Sequence, residues 1–101
     1  MIVVAGSIPI RPDAREAAIA AALEMQTATL EEPGCQQYAF SFAVEDPNLI
    51  RLFEVWDDQE SLDIHFTLPH MAVFQAKLGD IVAAAGDFGH YTVSAARPMF
   101  G

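Results

Sequence analysis

The sequence predicts an α+β fold of the ferredoxin-like, split βαβ kind, with elements in the order β-α-β-β-α-α-β and an antiparallel sheet. Three observations carry this expectation. Strand-like stretches with two-residue alternation or β-branched runs open the chain, form a hairpin in its middle and close it. A long helical pattern separates the first strand from the hairpin. A second helical pattern, interrupted at Pro69, separates the hairpin from the last strand.

Each element has its own signal. "MIVVAGSIPI" is β-rich and ends at Pro9 and Pro12, and its apolar stretch is too short and its start too poor in basic residues for a signal peptide. "DAREAAIAAALEMQTATLEE" reads as helix: Asp13 and Glu16 make a capping-box variant, and Ile19, Ala22, Leu23, Gln26 and Leu30 form one stripe. Pro33-Gly34 stops it. "CQQYAFSFAVEDPNLIRLFEVWD" alternates on both sides of "EDPN", giving a hairpin with a four- or five-residue turn. Tyr38, Phe40 and Phe42 share one face; Leu52, Glu54 and Trp56 point one way and Arg51, Phe53 and Val55 the other. Asp57 with Glu60 is expected to cap a short helix carrying Leu62, His65 and Phe66. After Pro69 a further helix begins near His70, with Phe74, Leu78 and Ile81 on its stripe. "AGDFGHYTVSAARP" supplies a Gly-rich turn and the final strand.

Both sheet faces carry apolar residues, so neither is simply solvated. Helices can cover one face. A single domain spanning residues 1–101 has no second sheet for the other, which points to a homodimer.

Composition narrows the function classes. Five basic against fourteen acidic residues give a net charge of −9, and the basic residues (Arg11, Arg15, Arg51, Lys77 and Arg97) are scattered. Nucleic acid and anionic membranes are poor partners for such a chain, as is a polyanionic cofactor. No apolar run approaches the length of a membrane span. One cysteine, Cys35, permits no intrachain disulfide and suits a reducing cytoplasm. A small, neutral, hydrophobic ligand is the expected partner.

"FEVWDDQESLDIHFTLPHMAVF" concentrates the residues able to do chemistry. His65 and His70 straddle the Pro69 break, so they are not an i,i+4 metal pair, and no carboxylate cluster or Cys pair accompanies them in sequence. No metal site is expected. A helix restarting at Pro69 would put His70 near free backbone N–H groups, a setting that works against positive charge on the ring and suits a neutral base. A lone imidazole on a helical stripe is otherwise a packed core or surface residue. Trp56, the single tryptophan, is either core or a pocket wall. Glu54 lies between Leu52 and Trp56 on a face due to be covered, where a carboxylate must be hydrogen-bonded, paired or protonated. Cys35 and Ser7 lack the setting of a nucleophile.

These residues, Glu54-x-Trp56, Leu62, His65, Pro69-His70 and Phe74, together with "EEPGCQQYAFS", resemble the antibiotic biosynthesis monooxygenase family. The resemblance implies two ferredoxin-like protomers packed sheet to sheet as a dimeric α+β barrel. It implies a pocket in each protomer, with His70, His65 and Trp56 catalytic and Glu54, Phe66, Phe74, Tyr38 and Ser7 lining the substrate. It implies oxidation of a hydroxylated aromatic or quinol by molecular oxygen without a cofactor. The haem-degrading branch carries an Asn near Ser7 and an iron-ligating His between Phe74 and Lys77; neither is present. Two other classes use the same residues: a proton-transfer enzyme on a small carbonyl compound, and a dimeric protein that binds a small aromatic without turnover.

Overall fold

Ile2–Pro9 (β1), Cys35–Phe42 (β2), Leu49–Trp56 (β3) and Asp87–Thr92 (β4) form one antiparallel sheet in the order β2-β3-β1-β4. The computed structural model describes all residues 1–101. Between the strands stand α1 (Arg15–Thr29), α2 (Gln59–His65) and α3 (Pro69–Leu78). The split βαβ, α+β plan read from the sequence is the plan of the molecule.

Register explains which side chains meet. Trp56 lies opposite Ile2, Glu54 opposite Val4 and Tyr38, and Ile50 opposite Ile8 and Phe42. Because successive residues alternate faces, this set shares one side of the sheet. There Ile2, Tyr38, Ile50, Leu52 and Trp56 join Ala18, Met25, Leu62 and Phe74 from the helices in a single core. The other side carries Val3, Ala5 and Ser7 beside Phe53 and Arg51, with Tyr91 from β4, and Phe53 and Tyr91 stay 42% and 56% exposed.

The sequence reading of α1 is corrected in two respects. Pro12–Ala14 forms a 3-10 turn before the helix, so Asp13 caps nothing and lies near Arg11 instead. The buried stripe is Ala14, Ala18, Ala21, Met25 and Thr29, while Ile19, Leu23 and Leu30 are exposed. Small alanines let the helix lie close on the sheet, whereas the bulkier aliphatics one position away cannot enter that seam. Ile19 and Leu23 line an apolar cleft of about 190 Å³, bounded also by Ala18, Ala22, Phe40 and Phe42.

Two smaller corrections concern loops. The hairpin connection spans residues 43–48, longer than expected, and is closed by Ala43 N–H donating to Leu49 O at 2.9 Å. The cap of α2 is Asp58 rather than Asp57: Asp58 Oδ1 accepts from Ser61 N–H at 2.8 Å. Asp57, the residue directly after β3, instead accepts from Gln36 Nε2–H at 2.7 Å.

Candidate functional site

A proline, a glycine and two helix ends assemble the site. After α1 the chain turns at Glu32, whose N–H donates to Thr29 O, and passes Pro33 to Gly34 at φ +84°. That left-handed conformation favours glycine, and a Cβ there would collide with Ser61 of α2. Gly34 O also accepts from Asp57 N–H at 2.8 Å. The turn is thus pinned against the start of α2, and Glu32 points into the space below it.

His65 ends α2 and His70 occupies the first turn of α3, which Pro69 opens at a position where its missing N–H costs nothing. Both rings face the same atom. Nδ1 of His65 lies 2.7 Å and Nε2 of His70 2.6 Å from Glu32 Oε2. A carboxylate oxygen accepts from both when each facing nitrogen carries its proton, which leaves Nε2 of His65 and Nδ1 of His70 with free lone pairs. His65 is 1% exposed and packs tilted against Trp56, with ring centroids 4.9 Å apart. The His70 side chain is 21% exposed, so it is the imidazole a visitor can reach.

Beside this triad, Trp56 Nε1–H donates to Glu54 Oε1 at 2.8 Å inside the core. Burial pushes the Glu54 carboxyl up to about 7, against the pull of that indole bond, and the neighbouring Glu32 adds to the rise. Burial, Glu54 and Glu32 also drive the Tyr38 hydroxyl upward, and burial with Glu32, Glu54 and Asp57 lifts Cys35 to about 11. Cys35 is therefore a protonated, unreactive thiol near neutral pH. The local field is acidic throughout.

The residues singled out from the sequence divide into two groups. Trp56, His65, His70, Tyr38 and Glu54 come together: Tyr38 lies 5.7 Å from His65 between ring centroids. Phe74 adjoins them through Phe40, 5.5 Å away, and shares a narrow crevice with His70. Phe66 touches the cluster from outside, its ring edge-on to His65 at 5.5 Å between centroids, and Ser7 does not join. Phe66 follows α2 with its side chain 57% exposed, because the helix ends at His65 and turns the next residue outward. Ser7 pairs with Arg51 and Asp87 on the opposite side of the sheet, since strand alternation sends odd positions of β1 away from the helices. Sequence reasoning missed Glu32. It lies 33 and 38 positions before the histidines, and its only signal was an acidic residue directly before the Pro33-Gly34 turn.

The sequence profile described as "antibiotic biosynthesis monooxygenase" matches residues 1–77. An uncharacterised protein of Synechocystis, sll1783, is 33% identical over 98 residues, covering 97% of this chain and 67% of its own length. Rv0793 of Mycobacterium tuberculosis, named as a candidate monooxygenase, is 35% identical over 72 residues, covering 71% and 70% of the two chains. The solved structure of Rv0793 superposes with a TM-score of 0.88 over 96% of this chain and 98% of that one, at 26% identity. A structure from Deinococcus radiodurans, named as a candidate antibiotic biosynthesis monooxygenase, gives 0.89 over the whole of both chains at 19% identity and so supports the fold. With its residues 1–77 fitting that profile and relatives aligned along almost its full length, the chain belongs to the antibiotic biosynthesis monooxygenase family.

Proposed function

We propose that this protein is a cofactor-independent monooxygenase that oxidises a hydroxylated aromatic or quinol with molecular oxygen. Family membership supports a monooxygenase-like role. The observation that carries the chemistry is the contact of 2.6 Å between Glu32 and His70, at the one imidazole of the cluster with solvent access. Glu32 acts as a positioning residue: it holds the His70 tautomer so that Nδ1 presents a lone pair.

His70 then accepts the phenolic proton, and the resulting electron-rich anion reduces oxygen directly. Quinol and oxygen give hydroxyquinone and water, so the substrate supplies every electron. Trp56, His65 and Tyr38 enclose this region and exclude water. Phe40 lines the apolar cleft and packs on Phe74, which borders His70, so these two rings stand between the cleft and the base. The sheet face bearing Phe53 and Tyr91 packs against a second copy, closing a dimeric barrel. A single cysteine suits work in the cytoplasm.

Oxygen uptake by metal-stripped protein across hydroquinones and polycyclic phenols tests the reading. Saturable uptake above autoxidation and above heat-inactivated protein is expected. Glu32→Gln should lower kcat about 100-fold with KM little changed, in the range of a lost acid–base contribution. No uptake across the panel sinks the proposal, and tight aromatic binding without turnover would make the protein a binding module.

A further inference from the structure

We propose that Glu32, His65 and His70 form a binding site for one transition-metal dication of the zinc kind, ligated by Glu32 Oε2, His65 Nδ1 and His70 Nε2. The binding claim goes beyond the oxygenase reading and stands without it. The three donor atoms lie within 4.8 Å of one another although they come from three places in the fold: the turn after α1, the end of α2 and the first turn of α3. The sequence argument against a metal rests on the spacing of the histidines across Pro69 and on the lack of a carboxylate cluster beside them. Folding supplies a carboxylate, Glu32.

The donor set selects the ion. Two imidazoles and one carboxylate suit zinc, cobalt and nickel, whereas magnesium and calcium call for oxygen ligands. Metal–ligand bonds of about 2.0–2.2 Å hold neighbouring ligands roughly 3.0–3.4 Å apart. Glu32 Oε2 now stands 2.7 and 2.6 Å from the two imidazole nitrogens, distances that must open by less than about 1 Å, while the two nitrogens, within 4.8 Å of each other, must draw together to share the ion.

Charge favours the exchange. Glu32 is buried and its ion-pair contacts are the two imidazoles alone. Arg11, Arg51 and Lys77 pair elsewhere, with Asp13, Glu45 and Glu24. Glu54 and Asp57 add to the same acidic neighbourhood. A buried anionic spot without a fixed cation is costly, and a dication offsets it.

From neutral imidazoles, binding exchanges no net proton or electron. Each ligating nitrogen gives its lone pair to the metal, and the ring proton moves to the opposite nitrogen. For His70 that nitrogen is Nδ1, so the bound metal removes the lone pair on which the proposed oxygenation depends. Inhibition by zinc rests on that reading; binding does not.

The test uses the full chain, stripped by chelator and titrated with Co²⁺, then Zn²⁺. The expected result is one Co²⁺ per chain with the visible absorption of a four- or five-coordinate site, displaced by Zn²⁺. Glu32→Gln and His70→Gln should each weaken binding tenfold or more, in the way loss of a ligand or its support does, while His90→Gln, at an exposed histidine bonded to Gln59, should leave it unchanged. Far-UV circular dichroism verifies that the variants are folded. His70, being partly exposed, keeps the test valid if Glu32→Gln unfolds. Absence of the Co²⁺ band at saturation, full binding in His70→Gln, or loss of binding in His90→Gln would each overturn the site.

Discussion

On the helix-covered face of the sheet, Glu54 and Trp56 lie among Ile2, Leu52 and Tyr38 with almost no solvent contact; on the opposite face, Phe53 and Tyr91 remain 42% and 56% exposed. Phe53 and Glu54 are neighbours in β3, and each sits in the environment that would ordinarily suit the other. A carboxylate inside costs desolvation, and an aromatic outside leaves apolar area in water. Neither anomaly helps an isolated chain to fold. In the function proposed above the inner one borders the chemistry and the outer one the assembly surface, and strand alternation keeps the two apart by one residue.

The largest effect expected from this contrast belongs to Glu54. Its ordinary value of 4.5 rises to about 7 in the folded chain, chiefly through burial. The folded state therefore holds this proton where the unfolded chain has already lost it. The contribution to stability is fully present below about pH 4.5 and is lost as pH rises through about 7. Spread over that window, it amounts to about 3 kcal/mol. Thermal unfolding from pH 4 to 8 should show the wild type losing stability relative to Glu54→Gln, which cannot ionise and keeps an acceptor for Trp56. Parallel pH profiles for the two proteins would mean that Glu54 is already ionised throughout and that the buried face is less dry than its geometry implies.

The outer face gives the next effect. Phe53→Glu places a charge at the centre of the exposed apolar patch without disturbing the core on the other side. If a second copy covers this face, association should weaken by about 2 kcal/mol, roughly 30-fold in dissociation constant. Sedimentation velocity at several concentrations reads this directly. A wild type that stays monomeric at every concentration would remove the assembly half of the comparison. A dimer that survives the substitution would move the interface elsewhere.

How much of this was legible beforehand follows from the range of the forces involved. Local patterns place all four strands and all three helices, although α3 ends at Leu78 and leaves Ile81 beyond it, and alternation puts Leu52, Glu54 and Trp56 together because the pleat has a fixed period of two. The stripe of α1 was misjudged because periodicity selects a row of residues but not which of two adjacent rows meets the sheet. Ala18 and Ala21 won that place by being small, which no hydrophobicity scale rewards. Glu32 was invisible for a different reason. Its partners are set by the Gly34 turn packing on Ser61, a tertiary event with no local pattern. Ser7 and Phe66 enter the expected site by resemblance alone; strand parity sends Ser7 to the other face, and the end of α2 leaves Phe66 on the rim, exposed but edge-on to His65.

The smallest effect expected concerns a polar group that serves the sheet rather than the site, and it bounds the comparison from a third side. Gln26 projects from α1 into the apolar cleft, where its Oε1 accepts from Phe40 N–H at 2.9 Å. β2 is an edge strand paired only with β3, so this N–H faces outward and would otherwise lack a partner in the sheet. Gln26→Ala should cost about 1 kcal/mol, the typical net worth of one such bond. It should also speed hydrogen exchange at the Phe40 amide more than at amides in β3. Urea unfolding and exchange measured together separate a loss confined to the edge from a general weakening. Unchanged exchange at Phe40 would show that the edge is protected by something other than Gln26, such as the second copy. In that case the cleft beside α1, and not only the face bearing Phe53, would belong to the assembly surface.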